Sequence, residues 1–284
     1  MRGVILLFCL SVLALAAPAF AFEVSALSVP ESFIVDDETG SYYISNINGR
    51  PTEKNNSGFI TKLSPDGTVV EKKFVQGGKN GVTLHAPKGL LITGDTLYVT
   101  DIDHVRGFDK KTGGQKVSID LRSFKPKFLN DLAQDYFGMI YVTDMGTNRI
   151  FNIDPANGNK ADVFASGPEL ASPNGISFSA VQRKLIFANA GTGELYWLDE
   201  HGKPLKFETK KKLDTGLDGI DFDLEGNIYV STFTGGKIYR IGRQGDVKQF
   251  VTDLITPADI SLDTANRLIL VPSFSGNRAF TLAY

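Results

Sequence analysis

A sixfold internal repeat is the feature that most constrains the fold of this chain. Each copy contains a short apolar strand, a turn rich in Asp and Gly, a second strand and, after a polar loop, a third strand. The fifth copy shows this most clearly, with segments at 217–223, 228–231 and 237–241. The copies begin at corresponding residues, namely Pro30, Pro87, Leu129, Pro173, Leu217 and Pro257.

A period of about 43 residues with about four short strands is typical of a β-propeller blade. Helical repeats of similar length would place apolar residues at i, i+3 and i+4, whereas these segments alternate with a period of two. The sequence therefore predicts an all-β fold, a six-bladed β-propeller.

The fourth strand of each blade is predicted at 69–74, 117–121, 160–164, 205–208 and 247–251 in the first five copies. The sixth copy ends at Tyr284, with no residues left for a fourth strand. We expect residues 22–27 to supply it, because pairing the N-terminal strand into the last blade closes the ring and removes two open sheet edges.

Residues 1–21 have the features of a secretory signal. Arg2 precedes an apolar run, and Ala19 and Ala21 are the small residues of a cleavage site before Phe22. The alternative, a transmembrane anchor, requires about 20 apolar residues, and Pro18 interrupts this run. The sequence predicts an exported protein, periplasmic or secreted, whose domain comprises residues 22–284.

Composition excludes several classes of partner. Lys and Arg total 30 and Asp and Glu total 32, giving a net charge of −2 without charge blocks. This balance argues against nucleic-acid binding and, after signal cleavage, against membrane binding. The only cysteine, Cys9, leaves with the signal, so no disulfide or cysteine zinc site can form. The sequence leaves the oligomeric state open.

Repeat register places six residues around one axis, because the innermost strands of a propeller line its central channel. The position after each starting residue is filled by Glu31, Lys88, Asn130, Asn174, Asp218 and Ala258. Four of these side chains offer oxygen atoms, which suit hard cations such as calcium, magnesium or manganese. Asn and Asp are also common in turns for local reasons, but turn propensity does not explain Glu31.

These residues resemble the family of senescence marker protein, gluconolactonase and luciferin-regenerating enzyme, whose members are six-bladed propellers with an axial divalent metal. The resemblance implies that Glu31, Asn174 in its Pro-Asn-Gly turn and Asp218 in its Asp-Gly turn are metal ligands. It also places Asn130, the first residue of an Asn-Asp pair, at the metal and the substrate. Calcium is the first choice of cofactor, with manganese, magnesium or zinc as alternatives.

One position departs from the family pattern. The sugar-lactone enzymes of the family carry an Arg two residues before the Asn-Asp pair, and this chain has Phe128 there. The recognition of sugars therefore cannot be transferred to this protein.

Other residues are predicted to reach the same mouth of the channel. Lys88 can bind a substrate carboxylate or an oxyanion, and His85 can transfer protons. The alternative interpretation of Lys88 is a solvated lysine, and that of His85 is a surface histidine. Asp101, Asp144 and Asn189 end second strands and are candidates for substrate contact or simple loop residues. The long polar loop 46–58 is a candidate lid or specificity element.

The sequence thus predicts a metal-dependent hydrolase of a lactone or ester of a small molecule. A divalent cation polarises the carbonyl or activates water, Asp218 is the candidate general base, and Asn130 positions the substrate. No Gly-x-Ser-x-Gly elbow, His-Glu-x-x-His motif or phosphate loop offers another chemistry. The alternative is a non-catalytic propeller, stabilised by its ion, that binds a ligand or a protein.

Overall fold

The repeated segments form short antiparallel strands that differ in burial according to their distance from the central axis. In blades one, three and five the second strand is buried along its whole length, at Tyr42–Asn46, Ile140–Asp144 and Ile228–Thr232, because neighbouring blades cover both of its faces. The outermost strand is largely exposed, as in Val69–Gln76. Its charged residues, among them Glu71 and Lys72, discourage edge-to-edge pairing of this free sheet edge.

A computed structural model describes residues 21–284 and contains six four-stranded antiparallel sheets arranged as the blades of a propeller. Strands of the first three blades, from the axis outward, are β2 (Pro30–Val35), β3 (Tyr42–Asn46), β4 (Phe59–Leu63) and β5 (Val69–Gln76); β6 (Pro87–Thr93), β7 (Thr96–Asp101), β8 (His104–Asp109) and β9 (Gln115–Asp120); and β10 (Leu129–Gln134), β11 (Ile140–Asp144), β12 (Arg149–Asp154) and β13 (Lys160–Ser166).

The remaining blades follow the same plan. Their strands are β14 (Pro173–Ser179), β15 (Lys184–Asn189), β16 (Glu194–Leu198) and β17 (Pro204–Phe207); β18 (Leu217–Phe222), β19 (Ile228–Thr232), β20 (Lys237–Ile241) and β21 (Val247–Val251); and β22 (Ser261–Asp263), β23 (Leu268–Ser273), β24 (Arg278–Ala283) and β1 (Glu23–Val24). Two short 3-10 turns, Arg122–Phe124 and Pro155–Asn157, are the helical elements of the described chain. The predicted six-bladed fold is confirmed.

The N-terminal strand closes the ring as predicted, although it is shorter than the expected segment 22–27. Glu23 pairs with Phe280 and Val24 with Ala279 in the last blade. The strand stops there because Ala26 adopts a positive φ of 58°, which turns the chain out of the sheet. Residues 1–20 of the predicted export signal lie outside the described residues. Within residues 21–284, no helix is long and apolar enough to cross a membrane.

Apolar clusters hold the ring together, with one large cluster between each pair of adjacent blades. Between blades one and two, for example, Tyr43 and Val75 pack against Leu97 and Val99. Between blades six and one, the closing strand contributes Val24 to a cluster with Phe33 and Leu270 of its neighbours. Packing sheets face to face in this way buries the alternating apolar residues of each strand.

Each innermost strand has a β-bulge at the same register in the first five blades. In the first, Pro30 pairs with Asn46 and Phe33 with Ile44, so Glu31 and Ser32 together oppose the single residue Ser45. The same register shift follows Pro87, Leu129, Pro173 and Leu217. A bulge re-aims side chains, and here it repeatedly affects the axial position singled out from the sequence.

Candidate active site

The six axial residues form a ring at one mouth of the central channel, which we call the floor ring. It consists of Glu31, Lys88, Asn130, Asn174, Asp218 and Ala258, all of which are buried. The amide group of Asn130 donates a hydrogen bond to Oδ1 of Asn174, and Nδ2 of Asn174 donates one to the carbonyl of Leu217 at 3.3 Å. The structure thus joins neighbouring blades through the residues predicted as metal ligands.

Hydroxyl groups on the second strands fix the backbone of the floor ring. Oγ1 of Thr143 accepts the N–H of Asp131 at 2.9 Å and donates to the carbonyl of Asn174 at 2.7 Å. Ser231 makes the equivalent bonds, accepting from Gly219 at 2.9 Å and donating to Ala258 at 2.7 Å. Each hydroxyl therefore ties the bulge of its own blade to the floor residue of the next one.

Three oxygen atoms of the floor ring have no hydrogen-bond partner although they are buried. They are Oε2 of Glu31, Oδ1 of Asn130 and Oδ1 of Asp218. Leaving a buried polar atom unpaired is costly, so such atoms in a folded protein require an explanation. Their convergence from three blades indicates a site built to bind a ligand that accepts electron pairs.

The floor ring contains more buried carboxylate groups than positively charged groups. Burial raises the pKa of Glu31 well above its ordinary value, and the charges of Asp259 and Asp218 raise it further. Burial and the charge of Asp259 likewise raise the pKa of Asp218. Lys88 supplies the positive charge that acts against this at Glu31. A bound cation would offset the excess of buried carboxylates.

Lys88 is buried in the floor ring and is not a solvated lysine. Its Nζ donates to the carbonyl of Ala86 at 3.1 Å and lies 4.5 Å from the ring centre of Phe128. Burial lowers the pKa of Lys88 to about 8, while the charges of Glu31 and Asp101 act in the opposite direction. A buried ammonium beside the cavity can stabilise negative charge far better than one in water.

Above the floor ring lies a second ring, which we call the collar, made of the residue that follows each second strand. It consists entirely of apolar residues, namely Ile47, Ile102, Met145, Ala190, Phe233 and Phe274. This ring was not predicted from the sequence. The signal was nevertheless present, because each collar residue directly follows the polar residue that ends its second strand.

The floor ring and the collar enclose a cavity of about 280 Å³. Its polar lining comes from Glu31, Lys88, Asn130, Asn174 and Asp218, together with Thr234 at the exposed rim. Five collar residues line its walls, all except Ile102, which packs beside Ile47 and Ala86. Phe128 and Pro51 complete the wall. A mostly apolar pocket with a few convergent polar groups is the usual form of a small-molecule site.

Asp101, Asp144 and Asn189 do not line this cavity. Their side chains are fully buried and bind the loops that lead into the inner strands. The carboxylate of Asp101 accepts the N–H groups of His85 and Ala86 and binds Nε of Arg106 at 2.7 Å. These residues therefore shape the loops around the site, which is the loop role that the sequence left as their alternative.

Replacing Asp144 with Ala should lower thermal stability, because its carboxylate holds the loop that carries the wall residue Phe128. Its carboxylate accepts the N–H of Phe128 at 2.8 Å and that of Gly146 at 3.2 Å, and it also binds the Thr147 hydroxyl. Losing these acceptors should cost about 1–3 kcal/mol, or roughly 2–12 °C in melting temperature, measured by calorimetry. Asp162→Ala is the control, because this residue is exposed and makes only a surface ion pair. Equal melting temperatures for the two variants would contradict the role.

His85 also lies outside the cavity lining. Its Nδ1 accepts the N–H of Asn56 at 3.0 Å, and burial lowers its pKa. In return, the N–H of Leu84 donates to Oδ1 of Asn56 at 2.7 Å. His85 thus connects the loop 46–58 with the loop leading into blade two. Pro51 of the loop 46–58 lines the cavity.

A larger hollow of about 550 Å³ lies at the opposite end of the channel. Two of its buried carboxylates, those of Asp131 and Asp221, are already satisfied by backbone donors, and a third, that of Asp259, has a side-chain hydrogen bond with Ser32. Asp131 accepts the N–H of Ile176 at 2.8 Å, and Asp221 accepts those of Phe222 and Leu262 at 2.8 Å. The unpartnered floor oxygens lie instead at the smaller cavity, which is therefore the better candidate for chemistry.

Comparison with known protein families agrees with the family resemblance seen in the axial residues. The family model described as the SMP-30/Gluconolactonase/LRE-like region matches residues 87–258, more than half of the chain. The chain belongs to this family. The resemblance predicted from the floor ring is confirmed.

A gluconolactonase of Zymomonas mobilis subsp. mobilis is 27% identical over 220 residues, covering 65% of this chain and 58% of that protein. The chain thus matches little more than half of the length of this relative.

Solved structures show the same fold at low sequence identity. Selenomethionine-substituted virginiamycin B lyase from Staphylococcus aureus superposes with a TM-score of 0.65 at 13% identity, over 93% of this chain and 98% of that one. A protein of unknown function from Bacteroides thetaiotaomicron gives a TM-score of 0.67 at 13% identity, over 94% and 73% of the two chains. At such identities these likenesses show the fold alone.

Proposed function

We propose that this protein is a divalent-metal-dependent hydrolase of a lactone or ester of a small molecule. The observation that carries the proposal is the convergence of three buried, unpartnered oxygen atoms, from Glu31, Asn130 and Asp218, on the polar floor of a cavity whose walls are apolar. Family membership and the gluconolactonase relative support the same reaction class.

The floor ring fits a hard divalent cation. Glu31 and Asp218 offer carboxylate oxygens and Asn130 and Asn174 offer amide oxygens, the donors that calcium, magnesium and manganese prefer. Among residues 21–284 no cluster of three or more His, Cys, Asp or Glu side chains is suited to a metal, so the two amides are needed to complete the set. Calcium remains our first choice. When bound, such an ion polarises a substrate carbonyl and acidifies water.

The side chains have separate roles in the proposed reaction. Asp218 takes a proton from the attacking water and returns it to the leaving alkoxide as the acyl C–O bond breaks, giving a hydroxy acid from a lactone. Lys88 stabilises the negative charge that develops on the carbonyl oxygen. Asn130, held beside Asn174, orients the substrate. The cavity walls keep bulk water away from these groups.

The direct test is hydrolysis by the purified chain from Phe22 onward after removal of metal with a chelator. Calcium, manganese, magnesium and zinc are returned one at a time, with a panel of lactones and aryl esters as substrates. We expect at least one ion to restore turnover and calorimetry to show one ion bound per chain. Ion binding that raises the melting temperature without any turnover would support the non-catalytic propeller instead.

Export is part of the proposal. Its basis is the sequence of residues 1–21, with a charged start, an apolar stretch and small residues before Phe22. A periplasmic or secreted location would also agree with a domain that has no cysteine after cleavage.

A further inference from the structure

The collar makes the walls of the cavity apolar, whereas the floor ring is polar. In every blade the residue after the second strand is apolar, and five of these six residues line the cavity. Phe233 and Phe274 pack edge to face, with ring centres 5.2 Å apart. Phe128 adds a third aromatic ring, and its face is engaged by the ammonium group of Lys88.

The collar is also held rigidly. In five blades the backbone N–H of the collar residue donates to the carbonyl of the residue two positions before the floor residue, at 2.8–3.0 Å. These bonds run from Ile47 to Val29, Met145 to Phe128, Ala190 to Ser172, Phe233 to Gly216 and Phe274 to Thr256. A wall fixed in this way is organised before a ligand arrives, which lowers the entropy that binding must overcome.

Hydrogen-bonding groups are confined to the floor and the exposed rim of the cavity, where Thr234 lies. A polyhydroxylated ligand would have to give up water at most of its hydroxyl groups without finding partners in the wall, and each such group costs binding free energy. An alkyl or aryl chain would suffer no such loss and would bury apolar area against the collar.

We propose that the substrate carries an apolar alkyl or aryl chain that occupies the collar while its lactone or ester carbonyl faces the floor ring. Substrates of the sugar-lactone type are thereby disfavoured. This inference rests on the proposed function for the reaction, but the binding preference of the collar can be measured independently of turnover. The cavity of about 280 Å³ limits the ligand to a small molecule.

The first experiment compares γ-butyrolactone, γ-nonalactone and D-glucono-δ-lactone as substrates of the metal-loaded protein. Each methylene that enters an apolar site should raise kcat/KM about fourfold, so the pentyl tail of γ-nonalactone should raise it by about 10²-fold or more over γ-butyrolactone. D-Glucono-δ-lactone should be the poorest of the three. A kcat/KM for gluconolactone above that for γ-nonalactone would overturn the inference while leaving the hydrolase proposal intact.

A matched pair of variants tests the collar itself. Phe233→Gln introduces a polar amide into the wall, whereas Phe233→Leu keeps it apolar. Gln should lower the preference for γ-nonalactone over γ-butyrolactone about tenfold, and Leu should keep it within about threefold of the parent. Equal preferences in the two variants would contradict a role for the collar in chain recognition.

Binding of 2-pentylcyclopentanone, which cannot be hydrolysed, separates the two proposals. Isothermal titration should show binding with a negative heat-capacity change, the marker of buried apolar area, and weaker binding to Phe233→Gln. If the ketone binds in this way and no lactone is hydrolysed, the collar inference holds and the hydrolase proposal fails. If lactones are hydrolysed and the ketone does not bind, the collar inference fails.

Discussion

Replacing Asp218 with Asn should reduce kcat/KM for lactone hydrolysis by about 10²–10⁴-fold, the usual contribution of a general base. The amide keeps the size and shape of the carboxylate but has neither its charge nor its ability to accept a proton. One oxygen of Asp218 has no partner in the buried floor ring, and the neighbouring side chain of Asn174 acts to lower the pKa of Asp218 against the effect of burial. Initial rates with the metal-loaded variant measure the effect.

Thermal stability distinguishes the catalytic from the structural role of the ion. Without metal, Asp218→Asn should unfold at the same temperature as the parent or higher, because it removes a charge whose burial is costly. With metal at 100 times its Kd, the parent should gain about 2.7 kcal/mol and the variant less. A large fall in the melting temperature of the variant, with no activity in the parent, would favour the non-catalytic propeller.

Asp199→Asn is the matched control, since it removes the same charge from a surface turn. Asp199 accepts the N–H groups of His201 and Lys203 at 2.9 Å through one oxygen. An asparagine Oδ1 can accept both bonds, so activity and metal affinity should remain those of the parent. A loss of activity in this control would show that net charge, and not the floor ring, is responsible.

The blades and the floor ring could be predicted from the sequence because both follow from the repeat. Alternation of apolar and polar residues defines the strands, and aligning the copies places Glu31, Asn130, Asn174 and Asp218 in one register. The structure brings these side chains to one cavity. The N-terminal closing strand could be predicted because the sixth copy of the repeat contains three strands where the others contain four.

The roles of Asp101, Asp144 and Asn189 could not be predicted in the same way. Their position at the strand ends places them near the mouth, but the partner of a side chain depends on which backbone N–H groups the preceding loop presents. Asn189, for example, accepts the N–H of Ala171 at 3.0 Å and donates to the carbonyl of Glu169 at 2.7 Å. Such loop geometry is not encoded in residue type or period.

The bulges and the collar are two further features that could not be predicted from the sequence. Alternation alone predicts an unbroken inner strand, yet Glu31 and Ser32 both face a single partner residue. The bulge depends on how closely adjacent blades approach the axis, which is a property of the closed ring. Each collar residue can be located in the sequence as the residue that follows the end of a second strand. A single apolar residue in a loop is common, however, so the ring is recognised only once the structure shows that these residues lie around one cavity.

Gly219→Ala should have the largest destabilising effect among these substitutions, because this glycine of the inner strand of blade five touches the backbone directly before the inner strand of blade six. A Cβ atom there would lie 2.0 Å from the backbone nitrogen of Ile260 and 2.7 Å from the Cα of Asp259. Gly175 has the same relation to the next blade, where a Cβ would lie 2.2 Å from the carbonyl oxygen of Asp218. Backbone atoms cannot move aside as a flexible side chain can.

Accommodating the methyl group requires the two blades to separate, which would also displace Asp218 from the floor ring. We expect a loss of about 3 kcal/mol or more, at the upper end of overpacking effects, and a melting temperature roughly 6–12 °C lower. Metal affinity should fall with it, as measured by calorimetry on the folded fraction. Gly114→Ala is the control, since its nearest neighbour would be Oγ1 of Thr112 at 3.5 Å. Surface substitutions change the melting temperature by no more than about 2 °C. If Gly219→Ala and Gly114→Ala unfold within that range of each other, the close approach of the two blades does not require a glycine at position 219.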